Sequence, residues 1–309
     1  MKLNNMGFLD FIKRNITSIN RNLQKTQVIN SITEAKQLNN GVINLHRIDE
    51  NNAGDFFCAP HHYFKALQNT QVDIYDYKSS NPQVVKDWSE KIINNALVIG
   101  GGGLLNRGSF EKQIKLFESL SGKGKKTVLW GVGHNSKDKS EFGKITSYNI
   151  DVNNFGIVGT RDFNMPGEFV PCVSCMHTVF DKTYQETQDI GIIYHKKTLK
   201  NKQLIKKLNE FPSTSNTKDI DEIVSFIGKS NQIVTDSYHA MYWSMLLGKK
   251  VVVIPNSSKF YDFKYQPIIS SFENFETDLK KSTAYSGILN EFRDINLKFA
   301  DKVFDYLNL

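Results

Sequence analysis

Cysteine is scarce: three residues in 309. That is too few to staple a disulfide scaffold, and it fits a reducing, cytoplasmic compartment. Nowhere does an apolar run approach the ~20 residues that a helix needs to cross a bilayer, and no leader-like segment precedes the first helical pattern. A repeat of fixed period and a low-complexity tract are also missing, which excludes solenoid arrays and disordered linkers as the main organisation. With no arginine-rich arm and no zinc-finger spacing, nucleic acid is not an expected partner. Acidic residues fall short of basic ones, 32 Asp and Glu against 39 Lys and Arg, for a net charge of +7. Such an excess suits an acidic small molecule or an anionic membrane surface.

What the chain does have is a globular composition, 39% hydrophobic and 12% aromatic. That is enough for a large core, and the length suggests two domains at roughly 150 residues each. Within residues 1–36, Phe8, Ile12, Ile16, Ile19 and Leu23 recur three or four apart, with Lys13, Arg14, Arg21 and Lys25 left for other faces. This is the pattern of a basic amphipathic helix, which either docks on the body of the protein or lies on anionic lipid at the inner face of the cell membrane. Past residue 36 strand and helix signals alternate, which argues parallel sheets in an α/β fold. Strands are expected near residues 41–45, 72–75, 96–99, 127–130 and 156–158, and helices over 56–67, 84–94 and 109–120. A second α/β unit starts at residues 190–194, after a polar stretch, with helices over 200–210 and 218–229. The domains are thus read as 37–185 and 186–309, with a terminal helix over 289–306 returning across the first.

Residues 233–259 carry the strongest local signal. Ile233 and Val234 form a β-branched run that stops at Thr235-Asp236-Ser237, where Asp236 or Ser237 is the expected N-cap of a helix. Met241, Met245, Leu246 and Leu247 follow at helical spacing, Gly248 closes the helix, and residues 251–254 read as a buried parallel strand. His239 then stands in the first helical turn at the carboxyl end of a strand, where free N–H groups favour anions and open parallel sheets bind their ligands. It serves there as a proton-transfer group or as a cap and packing residue.

Other candidates stand at strand ends in the first domain. Gly100 to Gly103 follow an apolar strand, so Gly101, Gly102 and Gly103 either let a ligand approach the backbone or allow tight strand packing. The run lacks the lysine and hydroxyl residue of a P-loop and the acidic residue of a dinucleotide site. Arg161 can grip a carboxylate or phosphate bidentately, or pair with the adjacent Asp162. Asp55 can act as a base or orient a hydroxyl, or cap the helix that begins at Phe56. Cys172, Cys175 and His177 lack the further ligands of a closed zinc site and are read as structural thiols near the domain border.

Taken together, Asn52-Ala53-Gly54-Asp55, residues 100–105, Trp130-Gly131-Val132-Gly133, Gly159-Thr160-Arg161-Asp162 and residues 234–259 resemble the polysaccharide pyruvyl transferase family in their order and spacing, over about residues 45–260. The resemblance implies two Rossmann-like domains in a glycosyltransferase-B-like arrangement. It also implies transfer of the enolpyruvyl unit of phosphoenolpyruvate onto two hydroxyls of a glycan or lipid-linked saccharide, as a ketal. The family's Arg-x-His turn is matched in part, as Ser237-Tyr238-His239, so holding the acidic donor falls to Arg161, Lys259 and the helix N-terminus. His239 is the expected acid and base, with Asp55 and Asn52 orienting or deprotonating the acceptor and Ser237 and Tyr238 lining the donor site. This chemistry demands no metal or organic cofactor. The alternative on the same scaffold is a glycosyltransferase that uses a nucleotide sugar, and a non-enzymatic alternative is a membrane-docked scaffold in a polysaccharide assembly complex.

Overall fold

The computed structural model describes residues 23–309. The expected amphipathic helix therefore lies outside the described residues except for its end; residues 23–34 are helical (α1), with Leu23 exposed.

Two sheets organise the rest, and every strand pairing among the described residues is parallel. The first sheet holds β1 (Val42–His46), β2 (Gln71–Asp73), β3 (Ala96–Leu105), β4 (Thr127–His134), β5 (Ile157–Thr160) and β6 (Glu168–Phe169), in the order β2-β1-β3-β4-β5-β6. The second holds β7 (Gln188–Tyr194), β8 (Ser213–Ser215), β9 (Ser230–Thr235), β10 (Lys250–Val253) and β11 (Ile268–Ile269), in the order β11-β10-β9-β7-β8. An α/β architecture was expected, and it is what forms. Every residue of β4 is buried, as a central strand covered on both faces requires.

The helices follow from local signals. In α3 (Pro82–Asn94) Pro82 occupies the first turn and the Asn81 side chain accepts from the Gln83 N–H, a proline start with a capped N-terminus. Asp219 caps α6 (Ile220–Lys229) in the same way. On α7 (Tyr238–Leu246) every residue is buried, so it lies inside the protein and not on its surface. α4 (Glu111–Ser121), α5 (Lys202–Lys207) and α8 (Phe275–Leu279) cover sheet faces. The terminal helix α9 (Ile288–Leu307) joins two cores: Ile288 and Phe292 pack with Tyr242 and Phe263, while Phe299, Ala300 and Val303 pack with Val98, Val128 and Trp130 of the first sheet. The Asn296 side chain, fully buried, accepts from Trp130 Nε1 at 3.0 Å. The expected return of the tail across the first sheet is thus present.

Two expectations need correction, and a third is narrowed. Residues 56–67 do not form one helix. A single turn, α2 (Ala53–Phe56), gives way to 3-10 turns at Pro60–His62 and Lys65–Leu67, because Pro60 offers no N–H to continue the ladder. The strand expected to stop at Ile99 runs on to Leu105, so the glycines lie within β3 and not in a loop after it. Of the two residues expected to cap α7, Ser237 holds the N-cap position, and the Asp236 carboxylate does not cap it. It accepts instead from the His195 N–H at 2.6 Å and from the Thr198 hydroxyl, and Ser237 takes the N-cap position without a side-chain bond.

Candidate active site

Both sheets send their strand ends to one cleft. From the first come Arg47 after β1, the β3 glycines, Asn135 and Lys137 after β4, and Arg161 after β5; from the second come His195 to Lys197 after β7, Asn216 after β8 and Ser237 to His239 after β9. This is the edge at which open parallel sheets bind ligands. The cleft measures about 270 Å³, and a tighter recess of about 40 Å³ opens from it between Arg161, Gly101 to Gly103, Asp55, His239 and Lys259.

Arg161 is the central group of the recess. Its backbone N–H is tied to the Val132 carbonyl at 2.9 Å, which fixes where the side chain leaves the sheet. The residue is 1% exposed, yet Nε and both terminal nitrogens find no acceptor. The guanidinium lies over the Tyr238 ring, 4.1 Å from its centroid, a contact that offsets part of the desolvation. Pairing with Asp162 is not what satisfies it. The Asp162 carboxylate accepts from the His134 N–H at 2.6 Å and the Tyr148 hydroxyl at 3.1 Å, and burial pushes its pKa up to about 7. A buried arginine with its donors unmet is costly unless a ligand supplies the acceptors.

Lys259 sits beside it on a 3-10 turn, Ser258–Phe260. That turn is bound to the end of β4: Ser258 Oγ accepts from the Ser136 N–H at 2.9 Å and contacts His134 Nδ1 at 2.7 Å. Burial, then the neighbouring Lys137 and Arg161, bring Lys259 down to about 7. Lys137 is brought down to about 8 by burial and by Arg107 and Lys197. Cations depressed by one another mark a pocket with more positive charge than its own carboxylates balance.

His239 is the second residue of α7, with Nε2 facing Cys172 Sγ at 3.6 Å. Its other flank lies against Gly54, where a Cβ would come within 2.1 Å of Nδ1, so only glycine lets α2 pack here. Burial, with Arg161 and Lys259 nearby, holds the ring well below its usual pKa. It is therefore neutral while the cleft contains no anion. Asp55 faces it from α2. Its carboxylate accepts from Asn52 Nδ2 at 2.6 Å, and Asn52 Oδ1 in turn accepts from Asn216 Nδ2 at 2.9 Å, so the chain of bonds runs from one sheet to the other. Burial raises Asp55 against the opposing pull of Lys259. Capping is not its role, since Asn52, not Asp55, precedes α2.

The structure brings together every residue singled out from the sequence: Asn52, Asp55, Ser237, Tyr238, His239 and Lys259 line the cleft, and Gly101, Gly102, Gly103 and Arg161 line the recess. The glycines serve packing as well, because a Cβ on Gly101 would meet the Cys58 carbonyl oxygen at 2.4 Å. Sequence reasoning missed Arg47, Arg107, Lys137, His195, Lys196 and Lys197. The strand-end rule that found Arg161 applies equally to Arg47 and to His195-Lys196-Lys197, which directly follow β1 and β7.

Cys172 and Cys175 are buried free thiols. Cys175 Sγ lies 3.5 Å from Asn296 Nδ2, and His177 turns Nδ1 to accept from the Val179 N–H. Among the described residues, no helix is long and apolar enough to cross a membrane.

A family model described as polysaccharide pyruvyl transferase matches residues 176–258. The matched span runs from the last residue of the 3-10 turn Val173–Met176 to the first of the turn that carries Lys259, and it includes Ser237, Tyr238 and His239. The family seen in the motifs is thus found again, over β7 to β10 of the second sheet, and that family implies a transferase of polysaccharide biosynthesis. No curated protein matches the chain.

Proposed function

We propose that this chain, matched over β7 to β10 by the pyruvyl transferase model, moves the enolpyruvyl unit of phosphoenolpyruvate onto two hydroxyls of a sugar, as a ketal. The observation that carries the reading is Arg161, buried with all of its guanidinium nitrogens unmet, beside Lys259 in a recess that opens into the cleft. A planar fork next to a second cation fits a small ligand bearing a carboxylate and a phosphate. In this reading the first-sheet region, with residues 37–185, holds the acceptor. Residues 186–309 close over the donor, in a glycosyltransferase-B-like pairing of domains. The acceptor is a glycan or lipid-linked saccharide, with the protein attached peripherally to the cytoplasmic face of the membrane.

The chemistry distributes itself over the residues present. The enol carbon C3 gains a proton, a sugar hydroxyl adds to C2, phosphate leaves, and a second hydroxyl adds to C2 to close the ketal ring. Each hydroxyl gives up one proton; C3 takes one of them and the departing phosphate the other. His239 is neutral against two cations, and a bound anion offsets those cations and lifts its pKa toward the ordinary ~6.5. Donor binding thereby protonates the group that must deliver to C3. Asp55, raised by burial, accepts a hydroxyl proton while Asn52 holds its second oxygen. Ser237 and the first N–H groups of α7 present the helix N-terminus to the donor's charge.

The family match does not favour the nucleotide-sugar alternative. A thermal-shift screen separates the two, since a ligand that binds only the native state raises its melting temperature. Phosphoenolpyruvate is expected to raise it. A rise with nucleotide sugars alone would overturn the assignment.

A further inference from the structure

Against the end of α2, and outside the residues that line the cleft, three histidines converge. His46 ends β1, and His61 and His62 sit on the 3-10 turn Pro60–His62. One nitrogen from each lies within 4.8 Å of the other two, and this is the group among the described residues whose ligand atoms converge in this way. His46 is 1% exposed and His61 8%, while His62 is half-buried and gives a path from solvent.

The hydrogen bonds decide which nitrogens are free. His46 Nδ1 contacts the Asp55 carbonyl oxygen at 3.3 Å, and a carbonyl only accepts, so Nδ1 carries the proton and the Nε2 lone pair is left over. His62 Nε2 contacts the Phe56 carbonyl oxygen at 2.8 Å, which by the same argument leaves the Nδ1 lone pair. His61 Nε2 lies 3.2 Å from His46 Nε2. Two zinc–nitrogen bonds of ~2.0–2.1 Å at a tetrahedral angle place their nitrogens roughly 3.3 Å apart. Imidazoles that donate their second N–H to a backbone carbonyl are the usual form of histidine ligand, because the carbonyl sets both tautomer and ring direction.

We propose that His46, His61 and His62 bind a divalent transition metal, zinc foremost, at a site that fixes α2 and with it the carboxylate of Asp55. Two of the three rings are anchored on the carbonyls of Asp55 and Phe56, the last two residues of α2, so an ion here ties that turn to the end of β1. Coordination needs His61 in its Nδ1–H tautomer, a shift within a neutral ring that releases no proton. Burial, and the repulsion each ring exerts on the next, keep His46 near pKa 3 and His61 near 4, so the rings are neutral at pH 7 as ligands must be.

The test uses the full chain without a histidine tag, incubated with zinc, desalted, and assayed for metal by mass spectrometry. About one zinc per chain is expected, with a melting temperature that falls on chelation. Cobalt in place of zinc is expected to give the visible absorption of a tetrahedral site. His62→Gln, at the half-exposed position, and His46→Ala should each weaken zinc by more than about tenfold, at least the cost of losing an outer-shell partner, whereas His195→Asn, outside the cluster, retains it. Circular dichroism shows whether a variant is folded, and the cobalt spectrum of the unaltered chain stands independently of both variants. No bound zinc and no cobalt absorption in the unaltered chain, or zinc held equally by the two cluster variants, would overturn the site.

Discussion

Arg47 and Arg161 each stand just past the end of a parallel strand of the same sheet, and both line the recess, but they live in opposite conditions. Arg47 is partly exposed, pairs with Asp73 and donates to the Ile48 carbonyl. Arg161 is enclosed and unpaired. The same contrast holds for the lysines: Lys196 on the rim is paired with Asp49 at 2.5 Å, whereas Lys259 has no salt-bridge partner among the described residues and is depressed to about 7 by burial and its cationic neighbours. Arg47 and Lys196 are neutralised from within the protein, and Arg161 and Lys259 are left for a ligand to neutralise. A protein gains no stability from such an arrangement, since unpaired buried charge is among the costliest features a fold can carry. An anionic ligand would supply the acceptors that Arg161 lacks.

The contrast can be broken by variants taken from each side. His239→Ala, in the recess, should lower kcat with phosphoenolpyruvate and acceptor by about 10²–10⁴, the usual worth of a general acid or base; steady-state turnover checks it, and near-normal activity removes the role. Arg161→Met should raise the KM for the donor by about 10²-fold or more while raising the melting temperature of the free protein, because an uncompensated buried cation is replaced by a chain of similar volume. A variant that loses both donor affinity and stability would mean that Arg161 is a structural residue.

pH sharpens the same point. In the proposed reading the donor's negative charge lifts the pKa of Lys259 above its free value of about 7. The share of donor affinity that Lys259 supplies should then be full below pH 7 and fall by up to tenfold per unit as pH rises from there to the pKa of the bound state, while the fall with rising pH below about 6.5 belongs to His239. Calorimetric titrations at pH 6, 7 and 8 read this directly, and an affinity that stays flat from pH 7 to 8 would place Lys259 outside the donor's reach. Smallest of all should be Lys196→Ala on the rim, which removes one arm of a paired, partly exposed ion pair worth about 0–1 kcal/mol and should change donor KM by less than about fivefold.

Much of this was readable from residues alone. Parallel strands announce themselves as short β-branched runs bounded by turn residues, and the polar residues at their carboxyl ends were found wherever a motif drew attention to them, as at Arg161, Ser237 and His239, with Asp55 found on the turn α2. What stayed hidden had two physical causes. Charged residues after a strand, such as Arg47 and His195-Lys196-Lys197, look identical in sequence whether they face solvent or a cleft, and only the second sheet standing opposite decides. Residues 56–67 carried an apolar pattern suited to a helix, and reading them so would have spread His61 and His62 around a helical surface. Pro60 breaks that helix and turns His61 and His62 toward His46, 15 residues earlier in the chain, which periodicity cannot show.

The central claim is that the recess around Arg161 is held open for the charges of a small anionic donor. Isothermal titration of phosphoenolpyruvate into the unaltered chain, Arg161→Met and Arg47→Met at pH 7 tests it most directly. One saturable site is expected in the unaltered chain, largely preserved in Arg47→Met and weakened by about 10²-fold or more in Arg161→Met. Equal affinity in Arg161→Met and the unaltered chain, or no binding to the unaltered chain, would contradict it.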